Sequence, residues 1–249
     1  AIKNSRTILH SGVTSIRENG AKNHVTFSLR EGIERGLAVG PKMTLCGRPV
    51  TITGGHMWYF GAEADGADEV RKQVRQLIKE GADYIKLVAT GGSTRESNPL
   101  LPSYTVDELR VATEEAHHFG KLTAAHCASA QGVQNCLDAD VDMIVHCVFE
   151  DAQGRYEYRP DLVDRLLEAD AWVNPTLYVA QAGIDRFAEV VESAGDDAPA
   201  LQAVLDERRR GLDNRMEACG RMMEAGVKMT AGSDSPWGDY APGEFVHEV

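Results

Sequence analysis

The amino-acid sequence predicts an α/β fold of the (β/α)8, TIM-barrel type, formed by one domain over residues 1–249. The length of 249 residues is close to that of a single barrel of this type. Short runs of apolar, β-branched residues alternate with longer amphipathic stretches, which is typical of repeated βα units with right-handed crossovers. The runs are apolar throughout, which indicates strands buried on both faces of a parallel sheet.

Seven apolar runs are predicted to be strands, where a complete barrel has eight. A helix over residues 2–10 precedes the first run, which follows Gly12. A helix in that place suggests that the barrel's true first strand lies upstream of Ala1, and we expect the chain to be incomplete at both ends. The predicted strands cover residues 13–16, 43–46, 84–88, 122–125, 143–145, 171–173 and 227–230.

The amphipathic stretches carry helix start and stop signals. Apolar residues between 70 and 78 recur at i, i+4, i+7 and i+8, and Gly81 follows as a C-terminal stop. Thr105 and Glu108 form a T-x-x-E capping box. Two further helices are predicted, one capped by Asp161 and one ending near Gly226.

The composition favours a small-molecule partner. A net charge of −12 opposes binding to nucleic acid phosphates and to anionic membranes. No apolar run approaches the ~20 residues of a membrane span, and no signal-peptide pattern opens the chain. We therefore expect no nucleic acid and no membrane partner, while homo-oligomer formation stays open.

The cysteines predict a reduced, cytoplasmic protein. They are odd in number, form no C-x-x-C pair and sit in apolar surroundings, unlike a disulfide framework. They are Cys46, Cys127, Cys136, Cys147 and Cys219.

Polar residues stand at the ends of four predicted strands. The active sites of parallel barrels are built at the C-terminal ends of strands. Taken one at a time, each residue has an interpretation without a metal. Lys86 could be a lysine at the rim of the barrel, His126 or His146 a histidine of the core, and Asp234 a turn residue. Together they predict a site for one or two divalent ions, with Zn²⁺ favoured by nitrogen and carboxylate ligands.

Lys86 needs a modification before it can bind a metal. A lysine ammonium has no lone pair, whereas a carbamate formed with CO₂ offers two anionic oxygens. Burial lowers the pKa of a lysine and favours that reaction. A carbamate on Lys86 would bridge two metals.

Short sequence blocks carry a family resemblance along nearly the whole chain. They are GVTSIRE at 12–18, TITGGH at 51–56, GADYIK at 81–86 with ATGG at 89–92, AAH at 124–126, IVH at 144–146 and GSD at 232–234. In this order they resemble the amidohydrolase superfamily, in particular its imidazolonepropionase-like and Xaa-Pro dipeptidase (prolidase)-like branch.

The resemblance implies a role for each strand-end residue. Lys86 matches the carboxylated lysine that ends strand four of the family, His126 and His146 the histidine ligands of strands five and six, and Asp234 the aspartate of strand eight. The family's strand-one His-x-His pair has no match in this sequence, and neither does its small β-sandwich domain. The first visible strand then corresponds to strand two.

Two further residues are candidates for substrate binding. The resemblance implies that His56 faces the active-site cleft, while a surface loop histidine is an equal alternative. Tyr178 could reach a substrate carbonyl or carboxylate from strand seven, and a tyrosine at the rim of the core is the plainer interpretation.

The predicted function is hydrolysis of a C–N bond by metal-activated water, with Asp234 as the catalytic proton carrier. The resemblance implies dipeptides, N-acyl amino acids or cyclic amides as substrates. One alternative is a Schiff-base lyase or aldolase that uses Lys86 and no metal. Another is a non-catalytic, truncated relative that only binds a metal or ligand.

Overall fold

The structure, a computed structural model, describes residues 1–236 and 240–249. The helices of this part of the chain are α1 (Ile2–His10), α2 (Val25–Glu34), α3 (Gly66–Glu80), α4 (Val106–His118), α5 (Ala130–Asp138), α6 (Pro160–Glu168), α7 (Leu177–Glu192) and α8 (Ala198–Ala225). The strands are β1 (Ser15–Glu18), β2 (Lys42–Leu45), β3 (Val50–Thr51), β4 (Ala62–Glu63), β5 (Ile85–Val88), β6 (Thr123–His126), β7 (Met143–Val145), β8 (Trp172–Asn174) and β9 (Lys228–Met229).

All strand pairs in the two sheets are parallel. One sheet has the order β4-β3-β5-β6-β7-β8-β9, and β1 pairs with β2 in a second, two-stranded sheet. The backbone N–H of Asp83 donates to the carbonyl oxygen of Leu45 over 2.7 Å, which brings the β2 end beside β5. From β4 to β8 one helix separates each pair of consecutive strands, and α7 and α8 separate β8 from β9, so the predicted barrel-type α/β fold is confirmed.

Each predicted strand is present with slightly different bounds. The structure adds β3 and β4, which are too short, at two residues each, for a periodic pattern to reveal them. They flank residues 52–61, the loop that carries His56. These short strands therefore fix both ends of a loop that bears a candidate site residue.

The helix signals are confirmed with one exception. Thr105 and Glu108 form the reciprocal capping box of α4, and Gly81 ends α3 in the left-handed region with φ 100°. Asp161 was predicted to cap a helix, and this is wrong. The helix α6 begins at Pro160, and the Asp161 carboxylate instead accepts two hydrogen bonds from Arg159, at 2.8 and 2.6 Å.

The two faces of the central sheet carry different side chains. Apolar residues such as Leu87, Ala125 and Ile144 face the surrounding helices and belong to the main core. The opposite face lines the barrel interior, where Ala124 and Val145 form a smaller apolar cluster with Cys46, Tyr84 and Met143. The candidate site residues Lys86 and His126 share this inner face of the sheet with the cluster.

The helices α7 and α8 pack on each other and share an apolar cluster. Its buried members are Ile184, Val191, Leu205 and Leu212. Among the described residues, no helix combines the length and the apolar character that crossing a bilayer requires.

Candidate active site

The pairing register places Lys86 and His126 on the inner face of the sheet. Lys86 lies opposite Ala124 and Val88 lies opposite His126, so side chains two residues apart share this face. Both Lys86 and His126 are buried. Regular strand alternation alone therefore directs two of the predicted residues into the barrel.

His146 reaches the same place by a different route. His126 lies opposite Val145, and alternation from Val145 would turn the next residue toward the helices. His146 instead has φ 70°, in the left-handed region that non-glycine residues rarely adopt. Its ring consequently meets that of His126, with 4.6 Å between ring centroids.

The hydrogen bonds of His126 define its free nitrogen. Its Nε2 lies 2.9 Å from the carbonyl oxygen of Gly91, which can only accept, so Nε2 carries the hydrogen. The lone pair is then on Nδ1, which is buried and has no hydrogen-bond partner among the described residues. Metal-binding histidines commonly donate their other ring N–H to a backbone carbonyl in this way.

His146 is oriented by a hydroxyl group. Its Nδ1 lies 2.5 Å from Oγ1 of Thr176, so Nε2 is the ring nitrogen that could bind a metal. Burial and the nearby cation of Arg215 lower the pKa of His146 well below its ordinary value. The imidazole is therefore neutral at pH 7, as a ligand must be.

The environment of Lys86 suits a reactive amine. Burial lowers its pKa to about 8, against the opposing influence of Cys46 and Asp234. Its Nζ has one weak hydrogen bond, of 3.3 Å, to the carbonyl oxygen of Leu87. With this pKa about a tenth of the amine is uncharged at pH 7, far more than for an ordinary lysine, and the uncharged form is the one that adds CO₂.

Asp234 lies close enough to Lys86 for their charges to interact. Burial raises the pKa of Asp234 to about 6, although Lys86 and Arg215 favour its ionised form. Like His146, Asp234 has a left-handed backbone, with φ 55°. A carboxylate with such a pKa can accept and return a proton near pH 7.

His56 is buried beside His126 and does not lie at the surface. It is 3% exposed, and its ring centroid lies 4.5 Å from that of His126. The hydroxyl of Thr94 lies 2.9 Å from Nδ1 of His56 and also accepts the backbone N–H of Met57. Burial, and secondarily Lys86, lowers the pKa of His56 to about 4.

The structure places Tyr178 in a separate aromatic cluster. Its ring stacks on His247 and meets Tyr240 edge-on, each with 4.8 Å between ring centroids. Its hydroxyl lies 3.4 Å from a carboxylate oxygen of Glu244. Within residues 1–236 and 240–249, the described ring and hydroxyl contacts of Tyr178 are thus with the C-terminal segment and not with His56, His126 or His146.

The cysteines next to the histidines lie on the helix side of the sheet, as alternation predicts for Cys127. The sulfur of Cys127 lies 3.3 Å from that of Cys136 in α5, and Cys147 belongs to the main core. All five cysteines are free and buried. Cys46 alone among them packs inside the barrel, near Glu18.

Sequence reasoning missed three polar residues near the site. Glu18 is a carboxylate in the barrel interior, and burial raises its pKa to about 7. Thr176 contacts the ring of His146, and Arg215 donates a hydrogen bond to the carbonyl oxygen of Pro175, in the turn that contains Thr176. Glu18 lies within one of the sequence blocks, but Thr176 and Arg215 give no local signal because their contacts depend on the packing of distant helices.

The donor atoms fit a metal in part. Within the described residues, no group of three or more histidine, cysteine or acidic side chains is arranged to hold a metal ion. Two neighbouring imidazole rings could each supply a nitrogen, and Nδ1 of His126 is buried without a hydrogen-bond partner in the part of the chain that the structure describes. A carbamate on Lys86 together with Asp234 would supply the oxygen ligands.

Comparison with known proteins places the chain in a family. The model of the amidohydrolase family matches residues 3–246. Ochratoxinase of Aspergillus niger is 28% identical over 171 residues, covering 58% of this chain and 35% of that protein. An uncharacterized protein of Mycobacterium tuberculosis is 25% identical over 195 residues, covering 78% of this chain and 48% of that protein.

A solved structure agrees with these sequence matches. The crystal structure of a Xaa-Pro dipeptidase with bound methionine in its active site superposes with a TM-score of 0.79 and 26% identity, covering 99% of this chain and 60% of that one. The chain thus spans about a third to a half of the curated relatives it matches. It belongs to the amidohydrolase family, and it is similar to the prolidase-like branch that the sequence blocks predicted.

Proposed function

We propose that this chain is the barrel domain of a metal-dependent hydrolase that cleaves C–N bonds of amides. The strongest support for the proposal is the state of His126. The ring of His126 is neutral, buried and fixed through Nε2, and its Nδ1 lone pair has no described partner. A buried polar atom without a partner costs free energy, and a metal ion would satisfy it.

The proposed ligands are Nδ1 of His126, Nε2 of His146, a carbamate on Lys86 and the carboxylate of Asp234. Zn²⁺, as one or two ions, suits this mixture of nitrogen and oxygen donors. When bound, the metal supplies Lewis acidity, which polarises the scissile carbonyl and lowers the pKa of a water molecule toward ~7.

Asp234 is the proposed proton carrier. Its pKa of about 6 lets it take the proton of the attacking water at neutral pH and deliver it to the leaving nitrogen. His56 packs against His126 and is the nearest candidate to contact the substrate. Tyr178 lies at the start of α7 and is proposed to contact the far end of the substrate.

Dipeptides, N-acyl amino acids and cyclic amides are the proposed substrates. The similarity to a Xaa-Pro dipeptidase and to ochratoxinase supports small amide substrates. The net charge of −12 gives no support for a nucleic acid or anionic membrane as partner. We propose a reduced, cytoplasmic environment because all five cysteines are free.

The test combines metal content with hydrolysis. Purified protein is analysed for bound metal and assayed on a panel of dipeptides, N-acetyl amino acids and cyclic amides, before and after treatment with a chelator. His126→Asn and His146→Asn should each lose metal and activity, whereas His118→Asn, which changes an exposed histidine on α4, should lose neither. Amide hydrolysis that survives both chelation and these substitutions would contradict the proposal.

A Schiff-base enzyme is the second candidate, favoured by the lowered pKa of Lys86. In that case, borohydride would trap a ketone or aldehyde substrate on Lys86 in metal-free protein. Bound metal without hydrolysis of any amide would instead favour a non-catalytic relative.

A further inference from the structure

The turn between β8 and α7 touches the candidate site at His146. Thr176 lies in this turn, and its Oγ1 is 2.5 Å from Nδ1 of His146. Thr176 has φ 50°, an unfavourable backbone conformation for a β-branched residue. Something in the surrounding structure must therefore hold this turn in place.

The hydroxyl of Thr176 does not cap the helix that follows it. Thr176 is the N-cap residue of α7, where a threonine hydroxyl would ordinarily accept a backbone N–H of the first turn. No side-chain cap bond is made by Thr176 here. The hydroxyl faces His146 instead, so the first N–H groups of α7 need another acceptor.

Glu248 supplies that acceptor from the C-terminal segment. Its two carboxylate oxygens accept the backbone N–H groups of Leu177, at 3.0 Å, and Tyr178, at 2.7 Å. A carboxylate at this end of a helix is also favoured by the helix dipole. Glu248 thus takes over the capping role and leaves the Thr176 hydroxyl available.

Arg215 fixes the same turn through its carbonyl groups. Its Nη2, on α8, donates to the carbonyl oxygen of Pro175 over 2.8 Å and to that of Thr176 over 3.3 Å. Donors and acceptors of the turn are therefore both bound, by two charged side chains from distant parts of the chain. These hydrogen bonds offset the unfavourable free energy of the left-handed backbone conformation at Thr176.

From these contacts we infer that Thr176 is a positioning residue for His146, with Glu248 and Arg215 holding the turn that presents its hydroxyl. A hydroxyl can donate or accept; in the inferred role it accepts the Nδ1 hydrogen of His146, which would fix the tautomer with the lone pair on Nε2. The consequence for metal binding rests on the proposed function, but the tautomer itself is a property of the metal-free chain.

The first test reads the tautomer directly. Nitrogen-15 NMR of histidine-labelled, metal-free protein should show His146 protonated at Nδ1, with its signals assigned from their loss in His146→Asn. Thr176→Val keeps the β-branched shape and should release the tautomer into a mixture, whereas Thr176→Ser should retain it. Thr230→Val is the matched control, because that hydroxyl accepts from Asn174 and does not touch His146.

An Nε2-protonated His146 in the unchanged protein would overturn the inference, and so would a tautomer that Thr176→Val leaves unaltered. Neither result depends on catalysis or on bound metal.

The second test measures Zn²⁺ affinity by competition with a chelating dye. We expect Thr176→Val to weaken binding by about 10–100-fold, with Thr176→Ser close to the unchanged protein. Glu248→Gln should weaken it in the same direction but less. Failure of the unchanged chain to bind Zn²⁺ would count against the proposed function. If His146→Asn weakens Zn²⁺ binding but Thr176→Val binds Zn²⁺ normally, only the positioning role is refuted.

Discussion

The imidazole rings of His126 and His146 meet nearly at right angles, at 75°, with their centroids 4.6 Å apart. The first ring points inward because of regular strand alternation, and the second because its residue has a left-handed backbone. The two proposed ligands therefore depend on different physical causes. The pair would be lost if either the register of β6 or the conformation at the end of β7 changed.

Asp234→Asn should abolish hydrolysis while leaving most of the metal bound. The amide cannot take a proton from water or return one to the leaving nitrogen, and loss of a general base costs about 10²–10⁴-fold in rate. kcat on an amide substrate and metal content per chain are the two measurements. Asp196→Asn, on an acidic residue in an exposed surface turn, is the control. Undiminished kcat in Asp234→Asn would rule out this role.

Lys86→Met should make the metal-free protein more stable and lower its metal content. Burial disfavours the charged amine, and methionine fills a similar volume without a charge, so we expect the free energy of unfolding to rise by about 1–3 kcal/mol. Urea unfolding of chelator-treated protein measures this change. The exposed Lys72→Met should change it little. A less stable Lys86→Met variant would mean that the amine makes favourable contacts which outweigh its burial.

Glu18 should make stability fall as the pH rises from about 4.5 to about 7. Burial raises the pKa of Glu18 from 4.5 to about 7, although the backbone N–H groups of Gly47 and Cys46 stabilise the carboxylate. The folded protein then binds more protons than the unfolded chain in this window, so the free energy of unfolding decreases with pH. The full penalty, on the order of 1–3 kcal/mol, is present above pH 7.

Glu18→Gln removes this dependence, and it should be more stable than the unchanged protein at pH 8 but not at pH 4. The measurement is the difference between the two urea unfolding curves at each pH, because other carboxyl groups cancel in that difference. A difference that stays constant from pH 4 to pH 8 would contradict the prediction.

Gly92→Ala should disturb substrate binding by displacing His56. A Cβ at residue 92 would lie 2.5 Å from Cδ2 of the buried His56 ring, closer than real contacts allow. We expect KM to rise several-fold and the protein to lose about 1–3 kcal/mol of stability through overpacking. In the control Gly183→Ala, the new Cβ on α7 meets no atom within 4 Å, and stability should rise by about 0.5–1 kcal/mol. Equal behaviour of the two variants would show that His56 is free to move.

The part of the site that follows regular strand geometry could be predicted from the sequence. Lys86 lies within an apolar run and His126 ends one, and their inward direction follows from pairing between β5 and β6. His146 ends a similar run, but the rule of alternation would have turned it away, because only the left-handed backbone of that residue reverses its direction. The packing of Tyr178 against His247 and Tyr240 could not be predicted either, since both residues are distant from it in sequence.

The sequence by itself determined the order of the seven predicted strands and the strands that carry polar site residues, because apolar periodicity acts over a few neighbouring residues. Only the tertiary structure decided that His56 is buried and that Glu248 and Arg215 hold the turn of Thr176. Those contacts join residues about 40 to 70 positions apart. Their geometry depends on how whole helices pack, which no local pattern encodes.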